Sequence, residues 1–150
     1  MPLHIVLLEP EIPNNTGNIG RLSLASGSTL HLIKPFGFEL DDKRVKRAGL
    51  DYWKHISLRI YDSIADFYAE HGQKNIVYFS SHGKKTHWDI DFKDDMFLVF
   101  GKESVGLPKE IITAHEDQLY QIPLFSPHIR SLNLANAVGI AVYEGLKQLR

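Results

Sequence analysis

The chain has 150 residues, 43% of them hydrophobic, a formal net charge of −1 and no cysteine. This fits one domain, 1–150, around a single core, and the near-zero charge excludes the whole-surface basic footprint of many nucleic-acid binders, so any RNA contact must be local. Without cysteine there is no disulfide framework and no thiolate ligand or nucleophile; no run approaches the roughly 18 apolar residues of a membrane span, and MPLHIVLLEPEIP lacks the charged start and cleavage site of a signal peptide, so a cytoplasmic protein with no membrane partner is expected.

His4 to Glu9, HIVLLE, is a short apolar run closed by Pro10 and Pro13, the pattern of a buried parallel strand that ends in a functional loop. In EIPNNTGNIGR, Glu11 to Arg21, a polar loop precedes the helical pattern of Ile19, Leu22, Leu24 and Ala25, which stops at Gly27. A loop and helix start thus present Asn15, Asn18 and Arg21. Gly17 and Gly20 do not spell the G-x-G-x-x-G dinucleotide fingerprint. Thr29 to Lys34, TLHLIK, reads as the second strand, and the strand–helix–strand spacing asks for a right-handed crossover in a parallel sheet. Lys43, Arg44, Lys46 and Arg47 then fall within five positions, beside Tyr52 and Trp53. By pattern alone this is a solvated short helix with Asp41 and Asp42 at its positive end.

Ile56 to Tyr61 alternates as a strand, Ser63 caps the helix IADFYAEH, Gly72 ends it, and NIVYFSS is a further parallel strand whose apolar end is Phe79. The segment Ser81 to Phe92 holds His82 and His87 with Lys84 and Lys85; no third ligand stands at suitable spacing, so it reads as a polar surface loop and not as a metal site. MFLVFG, Met96 to Gly101, is the most β-like run and leads into KESVGLPKEI. Gly101 and Gly106 are spaced as in a P-loop, but Leu107 and Pro108 stand where that loop needs Lys and Ser or Thr, which excludes phosphate-loop chemistry. Pro108 opens the next helix as a first-turn proline.

The last thirty residues place a short buried strand end, Ile122, Leu124 and Phe125 around Pro123, before a loop forced by Ser126, Pro127 and His128. Ser131 and Asn133 offer N-cap oxygens to a helix whose apolar face is Leu134, Val138, Ala141, Val142, Leu146 and Leu149. Arg130, Ser131, Asn133 and Asn136 crowd a helix start whose free N–H groups favour electron-rich ligands. Ala137, Ile140 and Ala141 make the helix apolar on more than one side, so a homodimer is expected. Ser131 as a hydrolase nucleophile with His128 lacks a third partner and a G-x-S-x-G elbow.

NTGNIGR, Asn15 to Arg21, resembles the first signature of the SPOUT class of RNA methyltransferases in its Asn-to-Arg spacing; FGKESVGLP, Phe100 to Pro108, resembles the second; and RSLNLANAV, Arg130 to Val138, resembles the third. The cluster from Lys43 to Arg47 resembles the corresponding segment of one branch, the small tRNA wobble-position 2′-O-methyltransferases. What the resemblance implies is an α/β fold, a mostly parallel sheet flanked by helices, whose C-terminal segment threads through a loop to form a trefoil knot, a topology that no periodicity could reveal. It implies S-adenosylmethionine as methyl donor, held by Phe79, Gly101, Ile122 and Ser131 with no metal, and tRNA as partner, contacted through Lys43, Arg44, Lys46, Arg47 and Arg130. Each site would be completed by a partner subunit. Arg21 matches the family's catalytic arginine; a guanidinium is a poor proton acceptor, so the expected role is phosphate binding and alkoxide stabilisation, with Asn15, Ser131 and Asn133 completing the catalytic set. Glu103 can equally bond loop N–H groups or act in catalysis. Another target such as rRNA, or a non-catalytic RNA-binding module, remains open at this point.

Overall fold

The apolar runs HIVLL, TLHLI, IVYF and FLVF form four adjacent parallel strands in the computed structural model, which describes residues 2–40, 43–48 and 52–150. They are β1 (His4–Leu8), β2 (Thr29–Ile33), β4 (Ile76–Phe79) and β6 (Phe97–Phe100). One edge is extended by β3 (Leu58–Tyr61) and the other by β7 (Leu119–Gln121) and the short β5 (Lys85–Thr86), giving the order β3-β2-β1-β6-β4-β7-β5 with every pairing parallel. The helices are α1 (Pro13–Ser26), α2 (Lys43–Ala48), α3 (Ile64–His71), α4 (Lys109–Ala114) and α5 (Leu134–Leu149).

Crossover helices cover a parallel sheet on both faces, which is why its central strands are largely apolar. Successive side chains point to opposite faces. Ile5, Leu7, Leu30, Leu32 and Leu98 therefore meet Ile19 of α1 and Val138, Ala141 and Val142 of α5 in one core layer. Val6, Leu8, Ile33 and Val99 meet Phe67 of α3 and Ile111 of α4 in the other. The α/β architecture with flanking helices is the one expected. Among the described residues, no helix is long and apolar enough to cross a membrane.

Helix ends follow their local chemistry. Gly27 closes α1 with φ of 69°, a left-handed conformation that glycine adopts without steric cost. Ser63 accepts the Asp66 N–H at the start of α3, Gly72 ends that helix, and Asn133 accepts the Asn136 N–H at the start of α5.

Several boundaries differ from expectation. Helix α1 begins at Pro13, not after the Asn-Thr-Gly segment, because proline at the first helical position lacks only an N–H that would be unpaired there anyway. The strand expected around Ile122 to Phe125 lies at Leu119–Gln121, and Phe125 is 87% exposed; Pro123 has no N–H to give a ladder. The segment expected as a polar surface loop contains β5 and buries His87. Pro108 caps α4 from outside, its carbonyl accepting from the N–H groups of Ile111 and Ile112. Asp41, Asp42 and the Lys46 side chain lie outside the described residues.

The second core layer holds a polar chain that links β1, β2, β3 and α3. His31 Nε2 is 2.8 Å from His4 Nδ1, His31 Nδ1 is 2.9 Å from the Tyr61 hydroxyl, and that hydroxyl is 3.0 Å from His71 Nε2. Burial pushes all three histidines below the ordinary value, His31 to about 3.

Candidate active site

Parallel strands discharge their chains at one edge, and the loops leaving β4, β6 and β7 there surround a cleft of about 510 Å³. Binding crevices at the carboxyl ends of strands are the rule in open α/β sheets. Phe79 and Phe100, the last residues of β4 and β6, stack with centroids 4.6 Å apart and form part of its wall. Ile122 and Leu124 supply further apolar wall, and the loop before α5 brings Arg130, Ser131 and Asn133.

The loop after β6 folds back tightly. Gly106 donates its N–H to Lys102 at 2.9 Å and has φ of 72°. A Cβ on Gly101 would lie 2.2 Å from the Gly106 carbonyl carbon, so only glycine fits. The tight approach at this position is thus made by the returning loop itself.

This loop is locked to the one after β1 by a reciprocal exchange. Glu103 accepts from the N–H groups of Glu11 and Ile12 at 2.8 and 2.9 Å, and Glu11 accepts from the Ser104 N–H at 2.8 Å. Hydrogen bonds from Ser104 hold the Glu11 carboxyl below the usual carboxylate range. Lys102 pairs with Glu9 at 3.0 Å, which raises the Lys102 ammonium above its ordinary value. Of these residues only Glu103 was singled out in the sequence, and its geometry is the loop-bonding one. Glu9, Glu11 and Lys102 were missed; their partners are about ninety residues distant, beyond any local pattern.

Asn15 is buried and bonded on both sides: its amide donates to Glu103 at 3.2 Å and its Oδ1 accepts from Asn133 at 3.1 Å. Phe79, Gly101, Ile122, Ser131, Asn15, Asn133 and Arg130 all line the one cleft.

Arg21 does not line it. The early start of α1 puts Asn15 and Arg21 on one helix, where six residues advance about 9 Å and end about 120° around from the start. Arg21 instead shares the exposed i, i+4, i+7 face of Asn14 and Asn18. Asn14 and Asn18 border a second, shallow cleft of about 280 Å³ with Arg44 and Arg47 of α2. Lys43, Arg44 and Arg47 are exposed, as is Arg21, whose guanidinium carbon lies 5.0 Å from the centre of the Tyr52 ring. The predicted site is therefore two neighbouring surfaces joined by α1.

The SpoU rRNA Methylase family matches residues 2–143. The tRNA (cytidine(34)-2'-O)-methyltransferase of Saccharophagus degradans is 44% identical over 97% of this chain and 95% of its own. A solved structure described as giving insights into 2-OH methylation of C/U34 on tRNA is 46% identical, with a TM-score of 0.94 over 99% of this chain and 96% of that one. The AdoMet-bound rRNA methyltransferase of Sinorhizobium meliloti is 26% identical, with a TM-score of 0.86 over 99% of this chain and 57% of that one. With its three signatures gathered at the ends of a parallel sheet and the family match running almost end to end, this chain belongs to the SpoU methylase family.

Proposed function

We propose that this chain is a cytoplasmic tRNA methyltransferase that transfers a methyl group from S-adenosylmethionine to the ribose 2′-oxygen of nucleotide 34, a cytidine or modified uridine. The observation that carries the reading is that each of the three signature segments contributes to one cleft, the first through Asn15, the second through Gly101 and the third through Ser131 and Asn133, supported by whole-chain similarity to a relative named for that reaction. The residues present fit the cofactor. The cleft has the size of small-molecule sites, ~300–1,000 Å³, with apolar walls at Phe79, Ile122 and Leu124 and polar groups at Ser131 and along the loop that Gly101 allows to fold back on itself.

When bound, S-adenosylmethionine supplies an electrophilic methyl, which joins the ribose oxygen as the carbon–sulfur bond breaks with its electron pair on sulfur. The 2′-hydroxyl proton must leave as that bond forms. Arg21, on the α1 face shared with the basic cleft, binds the phosphate beside the target ribose and favours the alkoxide, while a phosphate oxygen takes the proton. Asn15 and Asn133, whose amides fix one another, orient the reacting groups. Lys43, Arg44, Lys46, Arg47 and Arg130 bind the tRNA backbone.

The reading includes a single catalytic unit over 1–150, the threaded C-terminal segment of SPOUT proteins, and a homodimer. Ile140 and Tyr143 of α5 are 42% and 49% exposed, which supports a partner on that face; Ala141, expected on it, is instead fully buried within the chain. An rRNA target is the second reading, favoured by the family's description.

The test is single-turnover transfer of labelled methyl to tRNA, to tRNA with 2′-deoxycytidine at position 34, and to rRNA. Label on the first alone is expected; label on the deoxy tRNA overturns the position, and label on rRNA alone overturns the substrate. Arg21→Ala is expected to slow the step by about a hundredfold or more with cofactor binding intact.

A further inference from the structure

The short 3-10 turn Trp53–His55 presses on α1 beside Arg21. A Cβ on Gly20 would meet Trp53 Cζ3 at 3.0 Å and Ile56 Cδ1 at 2.8 Å, so the absence of a side chain lets the turn sit directly against the helix. Tyr52 is the residue that opens this turn, its carbonyl accepting from the His55 N–H at 2.9 Å. Its half-buried ring is thereby brought to 5.0 Å from the Arg21 guanidinium carbon, well inside cation–π range.

We propose that Tyr52 is a positioning residue for Arg21, its ring holding the guanidinium in the orientation that meets the target phosphate. The inference rests on the role given to Arg21 above. An exposed arginine has many rotamers, and one left to itself would have to be ordered in each catalytic cycle. A carboxylate could fix it only by occupying its N–H groups and cancelling its charge. A ring stacked on the guanidinium restrains the plane and leaves the donating edges free for a bidentate phosphate contact. The ring face is the working part, so the hydroxyl is dispensable.

Single-turnover methylation of tRNA at saturating enzyme and cofactor, with calorimetric cofactor binding and a melting curve for each protein, tests this. Tyr52→Phe should stay within about twofold of wild type, whereas Tyr52→Met, which keeps bulk without a π face, should slow transfer by about tenfold and leave cofactor affinity unchanged. Tyr52→Leu carries the same test if the Met variant melts early. In an Arg21→Ala background the Tyr52→Met change should have no further effect, since there is nothing left to hold. An equal slowing in that background, or a Phe variant as slow as Met, overturns the proposal. Wild-type rate in Arg21→Ala alone removes Arg21 from the mechanism, and Tyr52 with it.

Discussion

Asn133 donates its side-chain amide to Asn15 Oδ1 across 3.1 Å, joining residues 118 positions apart. The contact is one link in a chain that continues from Asn15 to Glu103 and on to the backbone of Glu11 and Ile12. Both faces of the cleft are held by it. Glu103→Ala would leave two backbone N–H groups and the Asn15 amide without their acceptor, at a cost of about 1–3 kcal/mol. Urea unfolding should show that loss, calorimetry should show weaker S-adenosylmethionine binding, and Glu103→Gln, which keeps one acceptor oxygen, should recover part of both. An Ala variant of unchanged stability and affinity would mean that the loops hold without it.

Gly101→Ala forces the loop after β6 away from its return at Gly106, because the added carbon would stand 2.2 Å from backbone. Cofactor affinity should fall by about tenfold or more by calorimetry, an overpacking effect confined to the cleft. Val105 in the same loop is 77% exposed, so Val105→Ala should change little. Equal effects from the two substitutions would argue against steric closure.

His31 makes the fold acid-sensitive. Its proton is bound near 6.5 in the unfolded chain but only near 3 in the folded one, so between these values the unfolded state binds more protons and stability falls as pH falls. The slope from this group is about 1.4 kcal/mol per pH unit over that window, and His4 and His71, also lowered by burial, steepen its upper part. Asp95 beside His4 and Glu70 beside His71 act in the opposite direction. Urea unfolding at a series of pH values from neutral to acid should show the decline beginning near pH 6.5, and a His31→Gln chain should decline less steeply. A flat profile would contradict it.

Charge reversal of Lys43 and Arg47 should weaken tRNA binding across sequences and reduce the salt dependence by about one unit of log–log slope per lost phosphate contact. Cofactor affinity should be unchanged, because these side chains do not line the larger cleft. Unaltered tRNA affinity would return α2 to the role of a solvated helix.

Ile140→Glu places charge on the exposed face of α5 without entering the core. Sedimentation at micromolar concentration should find the wild type dimeric and this variant dissociated. A monomeric wild type ends the dimer reading.

Strands and helix ends were legible because their causes are local. HIVLL, TLHLI, IVYF and FLVF declare themselves by apolar length, Gly27 by its freedom at positive φ, and Ser63 and Asn133 by side-chain oxygens within reach of a nearby N–H. The three signatures were legible as residue types at fixed spacing, and with them Asn15, Gly101, Arg130, Ser131 and Asn133 of the larger cleft. Tertiary structure alone decided the order β3-β2-β1-β6-β4-β7-β5, since hydrophobic burial rewards any apolar strand and does not name its neighbour. It also decided that Gly101 makes room for Gly106, that Glu11 and Glu103 exchange hydrogen bonds between loops, and that Arg21 faces Tyr52 and not Asn15. Those contacts depend on where a helix starts and which loops the sheet brings together, and short-range, directional interactions between distant residues exist only once the chain is folded.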